Sequence, residues 1–541
     1  MGRIHSRRLN LIALAVLAIA LVAGTGLRIH AQRANPNIQH DEAWSYASAA
    51  GRLGPFLAAM DGDSTTSLTG RWVPASEWQH FWQSDGLSGV SRIAPDLAAH
   101  DVHPPLYFGL LHGWLMLTGE HVWTGRALNL VFAALAILAI VGFARGLGFE
   151  WLEGALAALV WAVSPAVVSI SAITRQYDLV ALTTILVVWG LAKACEAPPE
   201  RPGGARSLRP WLAVLWVAAA TAAALLTHYQ AVLLVAGGVL YGLAGVLLSR
   251  RDGRRRAWWP PLLGLAAGVL VAAVLAPGWS GAFGRERSKL DGFSVRVLFE
   301  KLAAISQTLG RFVAVPSIAI GAAIAVVVVL LLVPRTRRIL VRRMRTARPG
   351  WWTIFFFAFV TAGGIILQNL LFLSMPPRIT ARYLAMAWPF LAFAPLLFFG
   401  IWPRLRYALT AAFCLLVLVP ATIVTPLLYG GADRLPLGRL AGADAVIMDH
   451  VGVGELPRFL WSVPADTPVF AGTQEELLAD KDAWRNAELG DEAYYVSILR
   501  TGGLRRRRNR ILADLRRTHA VTRVGTNGLV DIYAITPKTA E

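Results

Sequence analysis

The feature that most constrains the fold is a series of long apolar segments that recurs along most of the chain. An α-helix needs about 20 predominantly apolar residues to cross the hydrocarbon core of a bilayer. Candidate segments begin near Leu9, Ala127, Trp151, Asp178, Trp211, Ala231, Trp258, Ala314, Trp351, Tyr383 and Tyr407. The chain is 55% hydrophobic with a mean hydropathy of +0.51, too apolar for a soluble protein of 541 residues. The sequence therefore predicts an α-helical polytopic membrane protein with about eleven transmembrane helices, the first of them uncleaved.

The basic residues predict how these helices are oriented. Arginines cluster in Met1–Arg8, Arg250–Arg256 and Pro334–Gly350, between apolar segments whose spacing puts the clusters on one side of the membrane. Short loops rich in Lys and Arg face the cytoplasm. We therefore expect the N-terminus inside and, with an odd number of spans, the C-terminus outside. The net charge of +19 follows these loops, so it does not indicate nucleic-acid binding.

Two polar regions stand apart from the apolar segments. The first is a loop of about a hundred residues, 28–126, which is too long to be only a connection. Helical spacing in Asp41–Met60 predicts an interfacial helix, Asp61–Gly89 predicts an irregular cap, and Asp101–Gly119 predicts a second interfacial or re-entrant helix. We assign residues 1–429 to a transmembrane domain that includes this loop.

The second polar region, residues 430–541, has the composition of a soluble domain, and we expect it outside the cytoplasm. Pro468–Gly472 and Glu492–Leu499 predict strands, while Thr473–Glu488 and Gly503–Thr518 predict helices. Val521–Ile535 predicts a hairpin at the Asn-Gly pair 527–528. A small α/β domain fits this pattern. Cys195 and Cys414 fall in predicted spans and indicate neither a disulfide framework nor a metal site.

Ionisable residues concentrate at the predicted outer boundary of the membrane, where charges are costly and commonly mark a site. They are Asp41, Glu42, Asp101, His103, Arg175, Asp178, His228, Arg378 and Arg382. Asp41 or Glu42 could act as a general base, and the arginines and histidines could stabilise a departing phosphate. The alternatives are carboxylates that favour a helix N-terminus and arginines that extend to lipid headgroups.

Five segments in this order resemble one family. DEAWSY, HPPLYF, SAITRQYDL, THYQAVLLV and RITARYLAMAWPFLAF are similar to motifs of bacterial GT-C glycosyltransferases related to protein O-mannosyltransferases and the aminoarabinose transferase of lipid A. The resemblance extends from Leu9 to about Tyr429. It implies inverting transfer of a sugar from a polyprenyl-phosphate carrier to a lipid, envelope glycan or protein, outside the bacterial cytoplasmic membrane.

The same resemblance implies roles for individual residues. The acidic residue of the first loop is the catalytic base, which corresponds to Asp41, with Glu42 beside it. The basic residue before the Pro-Pro pair, often lysine in the aminoarabinose branch, is His103 here. The residues that match the later motifs would contact the donor, and with Arg378 they are Arg175, Tyr177, His228, Tyr229, Arg382 and Tyr383.

The chemistry of a phosphate leaving group agrees with a single carboxylate. Hydrolysis of an alkyl glycoside needs a second acid to protonate the leaving oxygen, whereas a phosphate leaves as a stable anion. Asp41, Glu42 and His103 could contribute ligands to a divalent metal, but their spacing is not diagnostic, and we expect no cofactor. A transporter or flippase of a lipid-linked molecule, and an outer-face polysaccharide polymerase or ligase, are the alternative functions.

Overall fold

The computed structural model describes residues 2–196, 208–251, 259–276, 278, 281, 295–312, 334, 349–372, 381–400, 402, 404–430, 435–485, 489–498, 502–527 and 529–538. Within these ranges, five helices are long and apolar enough to cross a membrane: Arg7–Arg33, Val122–Gly146, Tyr177–Cys195, Pro210–Thr227 and Gly350–Gln368. A bent pair raises the number to six if it crosses as one span. A mostly helical protein with several apolar helices is thus confirmed, while eleven spans and their orientation stay predictions. The segment beginning near Ala314 lies outside the described residues.

Most of the described chain is helical, and the bounds follow the chain order. The helices are α1 (Gly2–Arg33), α2 (His40–Ala49), α3 (Leu53–Met60), α4 (Ala75–Gln79), α5 (Leu87–His100), α6 (Leu106–Thr118), α7 (Val122–Gly146), α8 (Trp151–Val163), α9 (Pro165–Ser171), α10 (Tyr177–Glu196), α11 (Arg209–Thr227), α12 (Ala231–Arg251), α13 (Trp259–Leu275), α14 (Val295–Phe312), α15 (Pro349–Ala358), α16 (Gly364–Phe372), α17 (Trp388–Leu391), α18 (Ala394–Phe399), α19 (Arg406–Gly430), α20 (Leu456–Leu460), α21 (Gln474–Ala479), α22 (Asp482–Arg485) and α23 (Gly502–Thr518). A π-helical turn, Phe359–Gly363, joins α15 to α16, and short 3₁₀ helices cover Ala381–Leu384 and Leu437–Gly442.

The chain forms two compact units. The first contains Met1–Gln32, Val102–Tyr107 and Arg126–Thr425. The second contains Arg33–Asp101, Phe108–Gly125 and Pro426–Glu541. The predicted boundary at residues 429–430 placed the first long loop with the transmembrane helices, whereas in the structure most of that loop belongs with the C-terminal residues.

Small residues let the apolar helices of the first unit approach closely. A Cβ atom at Gly268 of α13 would lie 2.6 Å from both the Thr221 Cβ and the Ala218 carbonyl oxygen of α11. One turn earlier, a Cβ at Gly264 would lie 2.7 Å from the Cβ of Val217. Tight van der Waals packing at small residues is a main source of helix association in membranes. The α11–α13 crossing therefore depends on glycine at both positions.

A bend between α8 and α9 sets the position of the loop that follows. The two helices differ in direction by 63°. Pro165 opens α9 and has no backbone N–H to continue the hydrogen-bond ladder of α8. The hydroxyl of Ser164, at the break, donates a hydrogen bond to the carbonyl oxygen of Phe312 at 2.8 Å. The bend is thus held in place by the end of α14.

The second unit is built on a six-stranded mixed sheet. Its strands are β1 (Trp72–Pro74), β2 (Ala445–Met448), β3 (Pro468–Ala471), β4 (Ala493–Ile498), β5 (His519–Thr526) and β6 (Val530–Pro537), in the order β1-β3-β2-β4-β6-β5. β2 pairs in parallel with β3 and β4, and the other pairings are antiparallel. β3, β4 and the β5–β6 pair lie in the segments that predict them, and α23 covers almost all of the longer predicted helix.

Three predictions about the second unit are corrected by the structure. Asp61–Gly89, predicted as an irregular cap, contains β1, which pairs with β3 and adds an edge strand to the sheet. Three residues ending in proline carry too little alternation to predict a strand. The helix predicted over Asp41–Met60 is divided into α2 and α3 at Gly51, whose φ of +63° is incompatible with a continuous helix. Thr473–Glu488 likewise forms two short helices, α21 and α22.

Candidate active site

The predicted base lies in the first turn of α2, in the second unit. The Asp41 side chain is 29% exposed, and its Oδ1 lies 3.7 Å from Nδ1 of His40. Glu42 is fully buried, and its Oε2 accepts a hydrogen bond of 2.9 Å from the backbone N–H of Gln39. Glu42 therefore fixes the start of the helix. Asp41 is the carboxylate of the pair with access to solvent.

Aromatic and polar contacts within the second unit hold α2 in place. The ring of Tyr46 lies 4.9 Å from that of Trp461, and its hydroxyl accepts a hydrogen bond from the backbone N–H of Gly125 at 3.1 Å. Buried His112 on α6 contacts the carbonyl oxygens of Ala49 and Gly86, each at 2.8 Å. The helix that carries the predicted base is thus supported by both the first loop and the C-terminal residues.

A glycine-containing loop of the C-terminal sheet lies against the start of α2. This loop, residues 449–455, follows β2 directly. A Cβ atom at Gly454 would overlap the ring of His40, the residue next to Asp41. Only glycine lets the loop approach α2 this closely. The sequence gives no signal for the contact, since Gly454 and His40 are more than 400 residues apart.

The predicted phosphate-binding residues belong to the first unit, and three of them come together there. The rings of His103 and His228 have centroids 6.3 Å apart, and Arg175 acts electrostatically on His228. His228 is the first residue after α11, and its Nδ1 accepts a hydrogen bond of 3.2 Å from the backbone N–H of Gln230. Burial, with His103 and Arg175 as smaller causes, lowers the pKa of His228 to about 3. The ring is therefore neutral at physiological pH, with its proton on Nε2.

Buried hydrogen bonds position the loop between α9 and α10 that carries Arg175. Asn129 of α7 accepts a hydrogen bond of 3.1 Å from the Tyr107 hydroxyl and donates one of 2.5 Å to the carbonyl oxygen of Ile173. Ser171 and Asp178, at the two ends of the loop, are joined by a hydrogen bond of 2.7 Å. Asp178, predicted as an outer-boundary charge, therefore closes this loop. Arg175 itself is 6% exposed.

The remaining candidates have different settings. Arg382 and Tyr383 lie on the 3₁₀ helix Ala381–Leu384, with the Arg382 guanidinium 5.3 Å from the centre of the Tyr383 ring. Tyr177 is buried at the start of α10, and Tyr229 follows His228. Arg378 lies outside the described residues. Asp101 is buried at the C-terminal end of α5, in the second unit.

Sequence reasoning missed a set of buried polar residues in the first unit. Arg28, at the end of the first span, donates hydrogen bonds of 2.9 Å to the carbonyl oxygens of Gly24 and Ala162 and lies 5.0 Å from the centre of the Trp161 ring. Gln32 and Arg126 exchange hydrogen bonds of 3.4 Å through their side chains and carbonyl oxygens. Cationic side chains next to apolar segments were the available signal, but ordinary membrane-boundary residues give the same pattern.

The part of the chain that the structure describes contains no group of three or more His, Cys, Asp or Glu side chains suited to a metal ion. His103 is in the first unit, while Asp41 and Glu42 are in the second. Independence from metals stays a prediction.

Comparison with known proteins gives one family match and several similar structures. The family model for dolichyl-phosphate-mannose-protein mannosyltransferase matches residues 102–280, a stretch that contains His103, Arg175, Tyr177, His228 and Tyr229. ArnT from Cupriavidus metallidurans bound to undecaprenyl phosphate is similar at a TM-score of 0.53 and 14% identity, over 96% of this chain and 97% of that chain. The apo form of the same protein gives 0.51 and 15%, with the same coverage. No curated protein sequence matches. The predicted resemblance is thereby confirmed.

Proposed function

This chain is a glycosyltransferase of the GT-C superfamily, and on that premise we propose that it transfers a sugar from a polyprenyl-phosphate carrier, with inversion. The acceptor is a hydroxyl group of a lipid, an envelope glycan or a protein. The reaction takes place at the outer face of the bacterial cytoplasmic membrane, and it needs no metal. The observation that carries the proposal is the grouping of Arg175, His228 and His103 beside the ends of apolar helices.

The proposed reaction is a single displacement at the anomeric carbon. The acceptor oxygen forms a bond to that carbon as the bond to the carrier phosphate breaks, and the phosphate leaves with the electron pair. Asp41 takes the proton from the acceptor hydroxyl. Arg175 supplies a fixed positive charge to the departing phosphate, and neutral His228 donates from Nε2. Preorganised donors of this kind typically contribute a few kcal/mol each.

His103, Arg382 and Arg378 complete the proposed contacts to the donor, with Tyr177, Tyr229 and Tyr383 lining the donor site. The cation over the Tyr383 ring is one contribution to that lining, since an aromatic face restrains a guanidinium. The carrier's polyprenyl chain would lie in the bilayer among the apolar helices. Bound at this place, the phosphate would replace the lipid headgroups that isolated arginines usually contact.

The mass of the carrier that remains after transfer tests the proposed donor. We expect polyprenyl monophosphate as the released product, detected by mass spectrometry after incubation of purified protein with labelled donor and a membrane extract. Recovery of polyprenyl pyrophosphate instead would support a polymerase or ligase that uses long glycans. Transfer in detergent also separates an enzyme from a transporter, because detergent solution has no compartments.

Substitution of His228 should reveal its role as a neutral donor. We expect His228→Gln to retain most activity, because its amide N–H can replace the Nε2 proton, and His228→Phe to lose at least about tenfold in kcat/KM. Because the pKa of His228 is low, the wild-type pH–rate profile should contain no step from this ring between pH 5 and 9, as about 6.5 is its ordinary value. Equal activity of the two variants would contradict the donor role.

The contact between the C-terminal sheet and α2 gives a separate prediction. Gly454→Ala should displace His40 and, with it, the first turn of α2, lowering kcat by about fivefold to tenfold, since small misplacement of a base is costly. Gly442→Ala is the matched control, because a Cβ there meets nothing within 4 Å.

The double variant His40→Ala/Gly454→Ala identifies the cause. Removing the ring removes the overlap, so the Gly454→Ala effect should be largely absent when His40→Ala is the reference. An undiminished effect in that background would show that Gly454 acts through something other than His40.

A further inference from the structure

Helix α23 of the C-terminal residues has two chemically different faces. Its buried face contacts the sheet through Ile511, Leu512 and Leu515. The exposed side chains from residue 505 onward are Arg505, Arg506, Asn509, Arg510, Ala513, Arg516, Arg517 and Thr518. The exposed arginines extend over about 18 Å along the helix, at 1.5 Å per residue. That face carries no carboxylate.

The arginines on the flank of the helix are neutralised within the domain. Arg507 pairs with Glu475 at 2.5 Å, and Arg508 pairs with buried Asp531. These two residues fix α23 to its own domain. On the exposed face, Arg517 lies 3.5 Å from Asp514. Arg505, Arg506, Arg510 and Arg516 have no ion-pair partner among the residues that the structure describes.

The basic surface continues beyond the helix. Strand β5 packs beside α23 at the edge of the sheet and adds exposed Arg523. Lys538 is exposed near the end of β6, and its Nζ donates a hydrogen bond of 3.3 Å to the carbonyl oxygen of Arg517. We call the exposed arginines of α23, together with Arg523 and Lys538, the basic face. A concentration of one sign of charge on a folded domain points to an anionic partner.

The domain is attached to the membrane part of the chain. Helix α19 ends at Gly430, and the first described residue of the domain after it is Leu435. The domain is therefore held near a bilayer surface, where the local concentration of lipid headgroups is high. Arginine pairs with phosphate in a bidentate geometry, and each basic residue near an anionic bilayer adds to the attraction.

We propose that the basic face binds anionic lipid headgroups of the membrane that carries the protein. Binding would restrain the domain at the bilayer surface, independently of the sugar that is transferred. The solvated face of an ordinary surface helix is the alternative, but such faces generally mix both signs of charge.

A fluorescent label at Ala513 tests this proposal, because Ala513 is exposed in the middle of the basic face. Cys195 and Cys414 are both buried, so the Ala513→Cys variant can be labelled at one position. The full chain is placed in nanodiscs of phosphatidylcholine alone or mixed with phosphatidylglycerol. Accessibility of the label to acrylamide, a neutral quencher, is then measured.

We expect quenching to fall by about twofold or more in the anionic nanodiscs and to recover at high salt, since exposed charges are screened within roughly 3 Å at 1 M. The matched control is Arg505→Gln/Arg506→Gln/Arg510→Gln with the same label, whose quenching should be the same in both bilayers. Its thermal unfolding should match that of the parent, because the altered side chains are exposed.

Equal quenching in both bilayers would overturn the proposal, and so would protection that persists in the triple variant. Protection that requires added acceptor, with no effect of phosphatidylglycerol, would also overturn it and would assign the basic face to the acceptor. None of these readouts depends on sugar transfer, so they are independent of the proposed function.

Discussion

Asp41→Asn should lower kcat for sugar transfer by more than about a hundredfold, because general base catalysis alone contributes about that much or more. The amide has almost the same size as the carboxylate but cannot take the proton of the acceptor hydroxyl. The helix start should be unaffected, since Glu42 and Gln39 hold it. KM for the donor should change little. The measurement is transfer of label from a polyprenyl-phosphate-linked sugar by purified full-length protein.

Asp63→Asn is the matched control for this variant, because Asp63 is an exposed carboxylate in the same loop. It should transfer sugar at the wild-type rate. Should Asp41→Asn do the same, Asp41 would be a helix-end charge, and Glu42 or Asp101 would become the candidate base.

Arg175→Gln should lower kcat/KM for the donor by about a hundredfold to a thousandfold, the usual effect of removing one preorganised donor from a developing anion. Arg175→Lys should fall between this variant and the wild type, because an ammonium keeps the charge but not the planar pair of donors. The measurement is the concentration dependence of transfer, with binding of polyprenyl phosphate followed separately by fluorescence titration.

Arg296→Gln provides the comparison for Arg175. Its side chain is 87% exposed and pairs with Glu300 on the surface, an arrangement worth little energy. It should leave both parameters unchanged. Because Arg175 is buried, its variants also need an unfolding measurement. An Arg175→Gln protein that unfolds like the wild type and binds polyprenyl phosphate equally well would rule out the phosphate contact.

Residues with strong local signals were predictable from the sequence. The apolar segments predicted helices because crossing a bilayer sets a minimum length that few soluble helices reach. The strands at Pro468 and Glu492 and the hairpin at residues 527–528 carried β-forming residues beside turn residues. His103, Arg175 and His228 could be selected because ionisable residues at the ends of apolar segments are uncommon.

Long-range contacts were not predictable in this way. β1 is three residues long and acquires its role only by pairing with β3, almost 400 residues later. The proximity of Gly454 to His40 depends on the tertiary fold and leaves no local pattern. Asn129 resembles any polar residue near a helix end, although its two hydrogen bonds position the loop of Arg175. These contacts depend on which distant segments meet, and periodicity carries no information about that.

The most direct test of the proposed function is a stoichiometric measurement on purified protein in detergent. Donor with a labelled sugar on polyprenyl phosphate is mixed with the full chain and a membrane extract, and both products are quantified. We expect one polyprenyl phosphate released for each sugar transferred, with neither product formed by Asp41→Asn. Absence of release from every polyprenyl-phosphate donor tested, by a protein that is folded and binds the carrier, would contradict the glycosyl-transfer account and favour a transporter.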